Sequence, residues 1–320
     1  MSAFGWNSTT DEVLAGKDLS GRTVFITGAN SGLGQETARA MAAKGAHVVM
    51  AGRDQAKLDE AVAAILAAVP DAQLDTITLD LGSLESIRAA TSRARQRFDR
   101  IDILINNAGV MACPFTHTAD GFEMQMGTNH LGHFALTAEL MPLIERGSAK
   151  RIVNLSSRGH HFAPVDFDDP FFERRPYDPW IAYGHSKTAN VLFTVGLEAR
   201  FAVLGIHAYA VHPGGIQTNL GRHMTPAMME ALMARVTSRD TGFQWKTIPQ
   251  GAATSCWAAT APELEGGSGV GGGVYCEDCH VAEVDDESAT SGVRSYAVNS
   301  SYADRLWAMS EELTGARFPS

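Results

Sequence analysis

The stretch Thr27-Gly28-Ala29-Asn30-Ser31-Gly32-Leu33-Gly34 decides the fold. It ends an apolar run of strand length, Thr23 to Thr27, and opens a segment of helical period from Gly32 to Lys44. Its glycines are spaced G-x-x-x-G-x-G, and glycine lets a backbone turn tightly or pass close to a pyrophosphate. The helix that follows offers free N–H groups and a positive dipole end to such an anion. A glycine-rich turn alone says little. Between a strand and a helix it marks a dinucleotide-binding βαβ unit.

Outward from that turn, strand-length apolar runs keep alternating with segments of helical period, the pattern of a parallel sheet. Strands are predicted at His47 to Ala51, Asp75 to Leu79, Ile101 to Ile105, Arg151 to Leu155, Ile206 to Val211 and around Val274. Helices are predicted at Gln55 to Val69, Leu84 to Phe98, Gly121 to Glu145, Ala182 to Phe201 and Gln250 to Ala259, with a Gly-rich turn at Gly266 to Gly273. An amphipathic helix, Tyr302 to Leu313, follows near the end. The expected fold class is α/β: a single-domain Rossmann fold, a doubly wound parallel seven-stranded sheet with helices on both faces. Residues 1–20 read as an N-terminal arm and 21–281 as the domain, with a substrate lid at about 216–248. Residues 282–320 read as a C-terminal helical extension. The Met-rich stretch Met224 to Met233 is core-like in composition, but its place after the sixth strand favours the lid.

Composition excludes several classes. With 26 Lys plus Arg against 36 Asp plus Glu, a formal charge of −10 and no long basic run, no nucleic-acid partner is expected. The first twenty residues lack a basic region followed by an apolar one, and no stretch approaches the roughly 18 apolar residues of a membrane span. A cytoplasmic protein with no membrane anchor is expected. Cys276-Glu-Asp-Cys279-His280 spells the c-type haem attachment pattern, yet haem attachment would require export, and zinc would need a second cysteine pair. These residues read as small buried groups after the last strand. His160-His161 are neighbours with no carboxylate to complete a site, so no metal is assigned.

Tyr183 and Lys187 stand four residues apart on a predicted helix, hence on one face. A free phenol, with a pKa of about 10, is a poor base at neutral pH; a cation held beside it favours the phenolate. That is the physical use of Y-x-x-x-K.

Taken together, the G-x-x-x-G-x-G cradle, Asn106-Asn107-Ala108-Gly109 after the fourth strand, and Tyr183-Gly184-His185-Ser186-Lys187 resemble the short-chain dehydrogenases/reductases. The resemblance is closest to the branch of retinol dehydrogenases and the WW-domain oxidoreductase, through Ala182 to Asn190, Ala252-Ala253-Thr254 with Ala261-Pro262-Glu263-Leu264, and Arg305-Leu306-Trp307. It implies a cofactor held by Gly28, Asn30, Ser31, Gly32, Leu33, Gly34, Asp80, Leu81, Asn107, Ala108, Gly109, Tyr183, Lys187, Pro213, Gly214, Ile216 and Thr218. Gly52 stands where NAD-preferring members carry Asp, and Arg53 follows; a guanidinium meets a 2′-phosphate bidentately. NADP(H) is therefore expected, with NAD(H) the lesser alternative. The resemblance makes Tyr183 the acid/base, Ser156 the hydroxyl on the substrate oxygen with Ser157 as the fallback, and Lys187 and Asn129 the proton relay. The expected activity is interconversion of an alcohol and its ketone or aldehyde. A non-catalytic NADP(H) sensor and a cofactor-retaining epimerase or dehydratase remain as alternatives on this fold.

Ser156 and Tyr183 are 27 residues apart, so an extended segment sits beside the site compared with the commonest family layout. Phe162, Phe167, Phe171, Phe172, Tyr177 and Trp180 either wall an apolar substrate pocket or pack as a surface loop. Together with the Met-rich lid they point to a bulky apolar small molecule; retinoids do not follow, because vertebrate retinol enzymes carry membrane anchors. The family precedent allows a homodimer or homotetramer through the two long central helices, which the insertion or the tail can block.

Overall fold

The computed structural model describes residues 3–239, 242, 244–265 and 271–319. A short helix, α1 (Thr10–Val13), opens the chain with a capping box between Thr9 and Glu12 and buries Val13 and Leu14, so the N-terminal arm is docked on the core. Then β1 (Thr23–Thr27), α2 (Gly32–Ala42), β2 (His47–Gly52), α3 (Gln55–Ala68), β3 (Gln73–Thr78), α4 (Leu84–Arg97) and β4 (Ile103–Asn106) follow in strict alternation. The central strands are apolar on both faces: Val24, Phe25 and Ile26 are all buried, as a parallel strand between two helical layers requires.

The helix expected from Gly121 to Glu145 is shorter and interrupted. It begins as α5 (Met124–Met126), because the Glu123 carboxylate caps the N–H groups of Gln125 and Met126 at 2.9 and 2.7 Å. A π-helical turn, Gly127–Leu131, then leads into α6 (Gly132–Glu145). After β5 (Arg151–Leu155) comes a short 3-10 turn, Arg158–Phe162. Next is α7 (Pro179–Phe201), which starts earlier than expected because Asp178 caps it ahead of a first-turn proline. β6 (His207–His212), α8 (Pro226–Arg239), α9 (Ile248–Thr260) and β7 (Val274–Glu277) complete the alternation. Of the expected Gly266–Gly273 turn, residues 266–270 lie outside the described residues, as do 240, 241 and 243 of the expected lid.

The sheet has eight strands rather than seven, in the order β3-β2-β1-β4-β5-β6-β7-β8. The additional strand, β8 (His280–Val281), runs antiparallel to β7 through a hairpin whose central residues Asp278 and Cys279 both have positive φ. The Cys-x-x-Cys-His pattern is this hairpin; both thiols are buried, and burial pushes Cys279 up to about 11. The chain ends with α10 (Ser300–Thr314), packed along α7, and a tail whose Phe318 closes an aromatic cluster with Phe134, Phe193, Phe201 and Trp307. Among the described residues no helix is long and apolar enough to cross a membrane.

Candidate active site

The strand order reverses between β1 and β4, and a crevice opens there at the carboxyl ends of the strands, where ligands bind in open α/β sheets. The crevice is about 1370 Å³. The cradle residues Gly28 and Asn30 to Gly34 line one end, Asp80-Leu81 and Asn107 to Gly109 its middle, and Ser156, Ser157, Tyr183 and Lys187 its far side. Pro213, Gly214, Ile216 and Thr218 face them from the loop after β6.

The cradle's glycines are set by packing. A Cβ on Gly34 would sit 2.3 Å from the Gly28 carbonyl oxygen, and one on Gly28, at φ +65°, would sit 2.9 Å from Ala108 Cα. The Asn107-Ala108 backbone is tied to β1 through Thr27, whose Oγ1 accepts both their N–H groups at 2.9 Å. Backbone is thus brought close along the crevice floor with no side chain in the way, which fits an extended dinucleotide. Arg53 lines the same crevice and makes no hydrogen bond or ion pair among the described residues. The neighbouring Asp54 is engaged as the cap of α3 and faces Lys57.

Tyr183 and Lys187 lie one turn apart on α7, both buried, with Lys187 Nζ 5.7 Å from the Tyr183 ring centroid. Burial pulls Lys187 down to about 7, and its ammonium donates to the Leu155 carbonyl at 3.0 Å. Burial pushes Tyr183 up to about 12, opposed by a hydrogen bond with the Ser157 side chain. The phenol is therefore held in its protonated form, the state that can give a proton.

The two serines divide their work differently from the expectation. Ser156 Oγ donates to the Lys187 carbonyl at 2.8 Å and so fastens the end of β5 to α7. Ser157 is the hydroxyl beside the phenol. Its oxygen accepts the Gly159 N–H at 3.0 Å as the cap of the 3-10 turn. With that lone pair used, its O–H is directed to the Tyr183 oxygen, whose charged form this bond favours. The strand's alternation carries the signal: Ser156 shares the face of Asn154, which bonds Thr194 of α7, whereas Ser157 is where the chain turns out of the sheet.

Asn129 does not line the crevice; it sits in the π-helical turn behind it. Its side chain is fully bonded, accepting from Val110 N at 2.8 Å and donating to Val110 O and Ser186 Oγ at 2.9 Å. Ser186 in turn donates to the Tyr183 carbonyl at 2.8 Å, so Asn129 braces α7 against the loop after β4. His133, not singled out from sequence, continues this bracing. Its Nδ1 donates to the Asn129 carbonyl and its Nε2 accepts from Thr27 Oγ1, both at 2.9 Å. π-turns inside helices are frequent at functional sites, and here the wider turn sets Asn129 between the two elements.

Of the aromatic insertion, Phe162 and Trp180 reach the crevice, their rings 5.9 Å apart. The others pack elsewhere: Phe171 on Phe122, Phe172 on His185, Phe167 on Tyr302, and the Tyr177 hydroxyl bonds Gln125, Glu123 and the Cys113 carbonyl. Met224, Met229, Leu232 and Met233, from the segment after β6, add to the apolar wall. Ala289 and Thr290 of the C-terminal segment also line it, a contribution with no sequence motif. Both nitrogens of His160 are spent, Nδ1 on the Ser157 carbonyl and Nε2 on Arg294 N, which leaves no lone pair for a metal.

A doubly wound sheet with a glycine cradle and a buried Tyr-Lys pair at its switch point defines a nucleotide-dependent oxidoreductase acting on CH–OH groups. The sequence signature of the short chain dehydrogenase family matches residues 22–228, and the chain belongs to that family. It is 44% identical over 295 residues to a probable oxidoreductase of Streptomyces lividans, covering 91% of this chain and 96% of that one. It is 41% identical over 300 residues to human retinol dehydrogenase 12, covering 94% and 88%. A crystal structure of an uncharacterized Mycobacterium paratuberculosis protein, 34% identical, superposes with a TM-score of 0.74 over 99% of this chain and 100% of that one.

Proposed function

We propose that this oxidoreductase uses NADP(H) to interconvert a secondary or primary alcohol and its ketone or aldehyde on a bulky apolar substrate. The observation that carries the reading is the buried Tyr183–Lys187 pair, with the half-buried Ser157 beside it, lining the same crevice as the glycine cradle and the unpaired Arg53. NADP(H), when bound, supplies the hydride carrier; the protein supplies placement and proton handling. Gly28 to Gly34 would receive the pyrophosphate at the start of α2, and Arg53 would receive the 2′-phosphate at the end of β2. The loop from Pro213 to Thr218, which lines the crevice, would hold the nicotinamide end.

In the reductive direction the Ser157 hydroxyl donates to the substrate carbonyl, polarising it, and the Tyr183 phenol gives the proton to the oxygen as it gains charge. Lys187, held down to about 7, stabilises the phenolate that results while it carries its proton. In oxidation that phenolate is the base, and a lysine cation beside it lowers the cost of forming it. Asn129, Ser186 and His133 keep α7 in register with the cradle. The Met-bearing lid, Phe162 and Trp180 form an adaptable apolar wall suited to a bulky substrate.

Arg53→Ala tests the cofactor choice. The KM for NADPH is expected to rise about tenfold or more relative to that for NADH, the loss of one charge-assisted phosphate contact. Equal changes for both cofactors would refute it.

A further inference from the structure

Next to the crevice lies a second, smaller chamber of about 340 Å³. The two share Arg158, His212, Gly214, Gly215 and Thr290 as lining, so the chamber adjoins the crevice at the loop after β6. Its walls are polar where the main crevice is apolar, with Glu277, Asp278 and Gln244 among them.

The hydrogen-bond state of His212 at the junction is determined. Its Nδ1 accepts two backbone N–H groups, from Arg158 at 3.2 Å and Gly214 at 3.4 Å. A ring nitrogen that accepts carries no proton, so the proton sits on Nε2. Burial, with Arg158 and Lys246 nearby, holds the ring neutral well below the usual histidine range. His212 is 8% exposed, and its Nε2–H has no partner among the described residues. Nε2 is not among the buried polar atoms that lack a partner, so this donor opens to the space at the junction rather than being sealed in the core.

The charged groups around it leave the same opening. Lys246 is closed on Asp278. Arg158 uses one guanidinium nitrogen on the Thr290 carbonyl at 2.7 Å, and Glu277 uses one oxygen on Gly292 N at 2.8 Å. Arg158 and Glu277 feel each other's charge but form no ion pair among the described residues. Balanced charge, free donors and a free acceptor around a small space suit a neutral hydroxyl or carbonyl rather than an ion.

We propose that this chamber is a second polar station of the substrate site, in which His212 Nε2–H receives a hydroxyl or carbonyl oxygen of the substrate, remote from the reacting carbonyl. The substrate class is thus a bulky apolar ketone or alcohol with oxygen functions at two places. The inference rests on the oxidoreductase reading above.

The test uses the full chain with NADPH and two series of methyl ketones, one unsubstituted and one with a terminal hydroxyl, across a range of chain lengths. The hydroxylated member is expected to win by about tenfold in kcat/KM at the length that spans the two stations, the worth of one well-made hydrogen bond. His212→Asn keeps an acceptor at the Nδ1 position and removes the Nε2–H donor; it is expected to cut that preference to less than about twofold.

Turnover of both series with no preference at any length would overturn the inference and leave the oxidoreductase reading standing. So would a His212→Asn enzyme that keeps the preference, or loses activity on both series equally. A higher KM for NADPH with the preference intact would assign the donor to the cofactor and overturn it as well. No turnover of any alcohol or ketone would remove the oxidoreductase reading, and this inference with it.

Discussion

The division of labour between Ser156 and Ser157 can be separated by paired substitutions. Ser157→Ala removes the hydroxyl that hydrogen-bonds Tyr183 and, in the proposed chemistry, the donor to the substrate oxygen. Loss of one such donor costs about 10²- to 10³-fold in kcat. The same change deletes the cap on Gly159 N–H, at about 1 kcal/mol of stability. Ser156→Ala deletes only the 2.8 Å bond to the Lys187 carbonyl, about 0.5–1.5 kcal/mol of stability, with kcat falling less than about tenfold. Initial rates of NADPH oxidation with a reporter ketone, alongside thermal melts of each variant, read both quantities. Ser157→Thr, which keeps a hydroxyl, should recover part of the lost rate. The reasoning fails if Ser156→Ala is the variant that loses activity while Ser157→Ala stays within about tenfold of the parent.

Two further outcomes follow from the burial of charged and aromatic groups. Lys187 is held at about 7, below its ordinary range, so the unfolded chain binds one more proton than the folded chain between that pH and the unfolded value. Its burial therefore costs stability fully below about pH 7, and the cost disappears as pH rises to the ordinary lysine range near 10.4. Lys187→Met should melt above the parent at pH 7 while being inactive, with the gap closing toward pH 10. A pH-independent gap would contradict this. The Leu155 carbonyl keeps a partner in the variant, because Asn190 Nδ2 also donates to it at 2.9 Å. Trp307→Ala should cost about 3–5 kcal/mol in urea unfolding. Trp307 packs against Phe134 and Phe318 and lies under the Arg200 guanidinium at 4.3 Å, where α10 covers α6 and α7. A loss below about 1 kcal/mol would mean that the C-terminal helix is not integral to the core.

Much of this molecule was legible before its structure, for identifiable reasons. β5 falls on the expected Arg151–Leu155, and β1 on Thr23–Thr27, because parallel strands buried on both faces read as short unbroken apolar runs. The cradle was legible because steric demands at Gly28 and Gly34 admit no other residue. What stayed hidden depends on long-range contact. The π-turn at Gly127–Leu131 leaves the apolar period of the helix nearly intact, so the sequence pointed to Asn129 by resemblance but not to the turn that holds it behind the crevice. β8 is two residues long and is defined by a turn at Asp278 and Cys279, neither of which is a glycine. The insertion's aromatics gave no sign that four of the six would turn away from the crevice, since packing partners such as His185 and Tyr302 come from distant elements. Ala289 and Thr290 entered the wall through the Arg158 bond to Thr290, a contact spanning well over a hundred residues of chain.

The account rests on Tyr183 as the proton donor and acceptor, and Tyr183→Phe tests that most directly. The substitution removes one oxygen from a buried ring on an otherwise intact helix. NADPH oxidation with a reporter ketone should fall by at least about 10³-fold, while NADPH affinity, followed by fluorescence titration of the same protein, should stay within a few-fold of the parent. Turnover persisting within about tenfold of the parent, with cofactor still bound, would contradict the account.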